Sequence, residues 1–238
     1  MSEKKKKAVI LLSGGLDSTT AAAIALDKGF GLVGLSFDYG QRNDIELVAA
    51  KKVAQSMGIT EHYIVPLDFW KVFGGSSLVD KAIPVLKDRT EEEMVAKIPS
   101  TYVPGRGFIF LSIAVALAES LDIKTIITGY CGVDAAGYPD SSKSFINTFQ
   151  ELLSIGAVRG DRSIPWEIYT PLIKMQKSEV IQTGVSLGVD YSQTVTCYEA
   201  MERDGNVIAC GRCDSCLLRK KGFEDVKISD PTLYYQVI

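Results

Sequence analysis

Four apolar, partly β-branched runs alternate with helical segments through the first half of the chain, and this alternation limits the fold more than any other feature. They read "AVILL" (8–12), "GLVGLSFDY" (31–39), "HYIVPL" (62–67) and "KTIITGY" (124–130). Runs of this length without polar alternation suit strands buried on both faces. Between them, residues 19–28 and 43–57 have helical character, and each stops before a glycine, Gly29 or Gly58, where a helix end favours positive φ. Strand and helix in alternation predict right-handed βαβ crossovers and a doubly wound parallel sheet, an α/β, Rossmann-like architecture. Residues 108–121 form a further, unusually apolar helix, expected between the sheet and a partner. Residues 169–188 read as a short extended piece and a helix closing on Gly188.

Residues 68–104 break the pattern with "FGGSS", isolated prolines and "KDRTEEE". A connection of that length without periodicity is usually functional or mobile, so it is expected near the site. At 238 residues, 46% of them hydrophobic and 23% charged, the chain can bury one ample core with a small appendage. The expected division is a nucleotide-binding α/β domain over 1–190 and a cysteine-bearing appendage over 191–238. The longest apolar stretch, "FIFLSIAVALA", is too short to cross a bilayer, and "MSEKKKK" leads into a glycine turn instead of a cleavable leader. No membrane and a cytoplasmic location are expected. A net charge of −3 supplies no field to hold a polyanion, so tight nucleic-acid binding is not expected, and Lys4 to Lys7 read as a solvated tail.

The first strand ends in "SGGLDS" (13–18), and "TTAAAIALDK" follows. A parallel strand that turns through glycines into a helix presents free backbone N–H groups at the positive end of the helix dipole, and phosphate binds there. Gly14 and Gly15 let the backbone approach an oxygen, Ser13, Ser18 and Thr19 add hydroxyl donors, and Asp17 can orient a Mg²⁺ that bridges phosphates. No lysine closes the loop in the Walker manner, so this is a different cradle. It resembles the SGGxDS pyrophosphate loop of the adenine-nucleotide α-hydrolase superfamily, which implies ATP and adenylation of a carboxyl or carbonyl oxygen. Such chemistry needs fixed dipoles and cations where charge develops. Lys177 and Arg106 are the candidate cations for phosphate or a substrate carboxylate.

Four of the five cysteines crowd into Cys197, Cys210, Cys213 and Cys216. In a reducing compartment such a cluster more often ligates metal than forms disulfides. Zn²⁺ fits best, and four sulfur ligands close the site, so its role is structural. Cys131 stands apart at a strand end, where a buried, inert thiol is the simpler reading. His62, the single histidine, opens a strand without a catalytic partner in sight and reads as structural.

"SGGLDSTT", "FDYGQR" (37–42), "TYVPGRG", "GYPD" (137–140), "TPLI" followed by "KSE", and "CGRCDSCLLRKKGF" together resemble the 7-cyano-7-deazaguanine synthase (QueC) family over nearly the full length. The resemblance implies ATP-dependent conversion of 7-carboxy-7-deazaguanine and ammonia to 7-cyano-7-deazaguanine (preQ0), through adenylated intermediates, in queuosine- and archaeosine-type biosynthesis. It also implies a homodimer. Carried over by position, Leu12, Ser13, Gly14, Gly15, Leu16, Asp17, Ser18, Thr19 and Thr20 hold ATP, with Phe37 and Tyr39 flanking the nucleotide. Gln41, Arg42, Arg106, Asp134, Tyr138 and Asp140 frame the deazaguanine, and Ser13, Asp17, Ser18, Lys177 and Arg106 serve catalysis. This chain departs from the family pattern at Gly107 (for Asn), at Ser141 and Ser142 (for Cys and Arg) and at Val133 (for Thr). These departures bear on the acceptor and product more than on ATP chemistry. The rival expectations are a relative that joins an activated deazapurine carboxylate to another amine, such as a protein terminus, and a zinc-knuckle tRNA-modifying enzyme.

Overall fold

The computed structural model describes residues 5–42, 44–132, 137–157 and 163–235. Lys4, Asn43, Val133 and Asp134 lie outside the described residues. The chain runs β1 (Lys7–Leu11), α1 (Leu16–Asp27), β2 (Gly31–Asp38), α2 (Ile45–Ser56) and β3 (Glu61–Pro66), then two short helices, α3 (Trp70–Phe73) and α4 (Glu91–Ala96). It continues through α5 (Arg106–Ser120), β4 (Thr125–Ile127), α6 (Lys143–Gly156), β5 (Glu167–Tyr169) and α7 (Lys177–Ser186). The end is built from β6 (Met201–Arg203), β7 (Asn206–Ala209), α8 (Asp214–Asp225) and β8 (Leu233–Tyr234).

β1 to β5 form one sheet in the order β3-β2-β1-β4-β5, and every neighbouring pair is parallel. The two-residue period of β1 divides the core. Val9 packs with Leu111, Ala114 and Ala118 of α5 and with Ile146, Phe149 and Leu153 of α6. Ala8 and Ile10 face the opposite layer, with Ala21, Ala22 and Ala25 of α1, Val180 and Ile181 of α7 and Phe223 of α8. Helices therefore cover both faces, as all-parallel sheets require. Because β2 and β4 leave β1 in opposite directions, the chain order reverses at the carboxyl end of β1, where such folds hold ligands.

The last fifth of the chain makes a small three-stranded sheet, β6-β7-β8, beside α8. It is not walled off from the rest. Phe223 lies in the α1–α7 core, and the buried Arg219 donates to the Tyr191 carbonyl at 3.0 Å and to Thr194 at 2.7 Å. Among the described residues, no helix is long and apolar enough to cross a membrane.

Candidate functional site

One cavity of about 410 Å³ opens at the chain reversal, between the ends of β1 and β2 and the segment after β4. Its floor is the turn from β1 into α1. No side chain caps α1, so its first turn has no side-chain partner at the cap and is open to the cavity. The serines brace the turn: Ser13 Oγ lies 3.0 Å from Ser18 Oγ and accepts from Gly15 N–H at 3.3 Å. Lys177, first residue of α7, donates to both Asp17 carboxylate oxygens at 2.8 Å. An acid and a cation expected from separate stretches thus meet at the cradle.

The opposite wall carries Arg106 at the start of α5. Its Nη1 donates to the Tyr39 hydroxyl at 3.3 Å, and the guanidinium lies 6.0 Å from the ring centres of Tyr39 and Tyr138. Burial pushes the Tyr39 hydroxyl up to about 12, so it stays protonated and can donate. Asp140 sits beside this group. Its Oδ2 accepts from the Gly107 N–H at 2.9 Å, and a Cβ on Gly107 would fall 2.6 Å from that same oxygen. The glycine and the acid therefore fit as a pair. Ser142 caps α6 by accepting from Phe145 N–H at 3.2 Å, and Ser141 donates to the Tyr138 carbonyl at 2.7 Å, so both serines fix the turn that presents Asp140.

Of the expected site residues, Leu12, Ser13, Gly15, Leu16, Asp17, Ser18, Phe37, Tyr39, Gln41, Arg106, Tyr138, Asp140 and Lys177 all border this cavity. Four do not, and each has another use. Gly14 has φ +78°, and a Cβ there would lie 2.4 Å from Ala50 N, so its requirement is the close approach of α2. Thr19 donates to the Gly15 carbonyl at 2.8 Å, and Thr20 to the Leu16 carbonyl at 2.9 Å while meeting Tyr191 at 2.8 Å in the core. The Arg42 guanidinium is spent on the carbonyls of Ser77 (2.9 Å) and Ile83 (2.7 Å) and on Glu199 (2.8 Å). It holds the chain together where a substrate contact was expected. Cys131 is buried and donates to the Met175 carbonyl at 3.2 Å, and His62 meets Ser36 at 2.7 Å.

Several bordering residues were given no role in the sequence reading, among them the charged Glu46, Arg89, Glu91, Asp214 and Arg219. Glu46 opens α2 one turn beyond the "FDYGQR" stretch, which is the only local sign of it. Burial raises its carboxyl to about 7, with Arg106 working against the rise. Arg89 and Asp214 come from distant stretches, and only the fold pairs them.

The four cysteine sulfurs lie within 4.8 Å of one another. Tetrahedral zinc with bonds of about 2.3 Å spaces its sulfurs by just under 4 Å, so the cluster fits that ion. Backbone N–H groups also aim at the sulfurs as thiolates require: Cys210 N and Glu199 N approach Cys197 Sγ at 3.2 and 3.3 Å, and Cys213 N approaches Cys210 Sγ at 3.4 Å. Contact with Cys197 holds the Cys210 thiol well below its usual range.

The sequence profile of "Queuosine biosynthesis protein QueC" matches residues 7–227. A 7-cyano-7-deazaguanine synthase of Saccharophagus degradans is 52% identical over 229 residues, covering 96% of this chain and 98% of its own. One from Coxiella burnetii is 49% identical with the same coverage, and one from Hydrogenovibrio crunogenus is 48% identical, covering 96% of both chains. With the cradle, the opposed arginine and the four-cysteine unit in place, the chain belongs to the QueC family.

Proposed function

We propose that this chain is an ATP-dependent ligase and nitrile synthase that converts 7-carboxy-7-deazaguanine and ammonia to 7-cyano-7-deazaguanine. The observation that carries the reading is one cavity bordered on one side by an uncapped helix start with the Asp17–Lys177 pair and on the other by Arg106 and Asp140. The names of the relatives at 48–52% identity point the same way.

A carboxylate resists ammonia because oxide is a poor leaving group. The ATP phosphates lie on the first-turn N–H groups of α1, with the hydroxyls of Ser13 and Ser18 beside them. Mg²⁺, when bound, would neutralise phosphate charge, with Asp17 as the carboxylate that would hold it. Arg106 orients the substrate carboxylate, whose oxygen attacks the α-phosphorus and expels pyrophosphate past Lys177. Ammonia then attacks the acyl carbon, and AMP leaves with the former carboxylate oxygen. The amide oxygen attacks a second ATP in the same way. Loss of the nitrogen's protons expels AMP and leaves the nitrile. Asp140 accepts N–H donors of the guanine-like ring, as carboxylates can. Zn²⁺ on Cys197, Cys210, Cys213 and Cys216 has no open position, so it holds structure.

The proposal includes a cytoplasmic location, where thiols stay reduced, and a homodimer. In support of the dimer, α5 and α6 leave Phe108, Leu152 and Ile155 exposed on their outer side. Mass spectrometry of products from 7-carboxy-7-deazaguanine, ATP, Mg²⁺ and ammonium tests the reaction. The nitrile and two AMP per turnover are expected, and Asp17→Ala should cut AMP formation by about 10² or more while the circular dichroism spectrum is unchanged. AMP without nitrile, whatever the acceptor, would overturn the product assignment.

A further inference from the structure

Residues 78–99 border the cavity through Leu78, Arg89, Glu91, Met94, Val95 and Pro99, yet they have little structure of their own. They contain a six-residue helix, α4, and one isolated bridge, Lys87 to Cys213. Their outside support comes from two directions: from the sheet side, where Arg42 donates to the carbonyls of Leu78, Asp80 and Ile83, and from the cysteine unit, which holds the part around α4. Arg89 Nε donates to Asp214 Oδ1 at 3.0 Å, with a second contact between the same groups, and both side chains are largely buried. Arg212 Nε donates to Asp88 at 2.9 Å, and the Asp88 N–H donates to the Arg212 carbonyl at 2.8 Å. Lys87 pairs with Glu199 at 2.8 Å, Arg42 joins the same carboxylate, and Lys221 reaches Glu91.

The clasping side chains grow from the peptide groups that wrap the sulfurs. Glu199 N–H points at Cys197 Sγ (3.3 Å) and Arg212 N–H at Cys210 Sγ (3.5 Å), while Asp214 follows Cys213 directly. An ion that fixes the sulfurs therefore fixes Glu199, Arg212 and Asp214. Exposed ion pairs stabilise little one by one, but several converging on a segment without its own core decide where it sits.

We propose that the cysteine unit is a positioning device for the ligand cavity: Glu199, Arg212 and Asp214, set in place by the metal-bound sulfurs, hold residues 78–99 against it, so metal occupancy governs ligand affinity. This rests on the cavity being the site for ATP and the deazaguanine acid. Glu199, Arg212 and Asp88 are positioning residues, and none of the three borders the cavity.

Glu199→Gln and Asp88→Asn, separately and together in the full chain, test the clasp by removing charge at nearly constant shape. Readouts are zinc per chain, equilibrium binding of ATP and of 7-carboxy-7-deazaguanine, the split between KM and kcat, and tryptic cleavage at Lys81, Lys87, Arg89 and Lys97. We expect wild-type zinc content, KM for at least one ligand raised about tenfold in the double variant with kcat nearly unchanged, and faster cleavage of the segment. Ligand affinity and cleavage rates equal to wild type would overturn the inference. So would loss of zinc from the variants, which would make the clasp a support for the metal and not the reverse. If the wild type binds neither ligand, the reading of the cavity fails, and the cleavage rates still decide whether the clasp exists.

Discussion

At the scale of single residues, the site is assembled by giving its ionisable groups close partners. Asp17 has Lys177, Asp140 has the Gly107 amide, and Arg106 has two tyrosine faces. Glu46 differs, because burial leaves its charged form poorly compensated and lifts its carboxyl from 4.5 to about 7. The folded chain then binds a proton that the unfolded chain has released. Stability attributable to this group is therefore present below pH ~4.5 and lost as pH rises through ~7, with a limiting slope near 1.4 kcal/mol per pH unit. Glu46→Gln carries no such charge. The variant should exceed wild type in stability by about 1–2 kcal/mol at pH 8, and the difference should shrink by pH 5. Urea denaturation at the two pH values measures it, and a gap that is constant or widens on acidification would contradict the buried-acid account.

At the scale of elements, what the sequence disclosed was whatever depends on neighbours along the chain. The first three apolar runs are strands β1 to β3, displaced by a residue or so at their ends, the fourth run, 124–130, contains the shorter β4 and overshoots it by three residues, and Gly29 ends the first helix region with φ +84°. The cradle was legible because one strand, one turn and one helix supply it. The path of residues 68–104 was not, since it is fixed jointly by ion pairs to residues more than a hundred positions away, by Arg42, and by burial of Trp70, Leu78 and Val103 in the sheet core. Arg42 and Thr20 receive ligand roles only through the family resemblance, and a motif carried over by position does not tell a side chain that faces a cavity from one that bonds a carbonyl. α6 was readable and overlooked, since Phe145, Ile146, Phe149, Leu152 and Leu153 recur at helical spacing behind the Ser142 cap, whereas the strands of the small sheet are too short to announce themselves. Gly14 shows how the two kinds of information combine, since its turn was readable but its contact with α2 was not. Gly14→Ala must adopt positive φ and push into Ala50 N, so a loss of at least about 2 kcal/mol is expected. Gly29→Ala also has positive φ but nothing within 4 Å of the new Cβ, and should cost only about 1 kcal/mol. Equal losses in chemical denaturation would remove the α2 contact as the reason for Gly14.

At the scale of the whole molecule, the question is whether the cysteine unit melts with the sheet or apart from it. The chain division expected at residue 190 suggests two units, whereas packing ties them. α8 starts directly after Cys213, carries Cys216 in its first turn and sends Phe223 into the core shared by α1 and α7. One turn after Cys216, the buried Arg219 is held by the Tyr191 carbonyl, Thr194 and Asp230, so a displaced α8 would strand a guanidinium without partners. Breaking one side of such a group costs about 3–5 kcal/mol, a large share of a domain's stability. Metal binding should therefore be felt at Trp70 and Trp166, which lie in the core cluster on the other side of the sheet. Cys213→Ala, or chelation of the wild type, is expected to lower metal content and to shift one cooperative transition downward, with tryptophan fluorescence and far-ultraviolet circular dichroism melting together. A tryptophan transition that stays at its original temperature after the metal is removed would show instead that α8 and its cysteines unfold alone, and the core role of Phe223 and Arg219 would have to be abandoned.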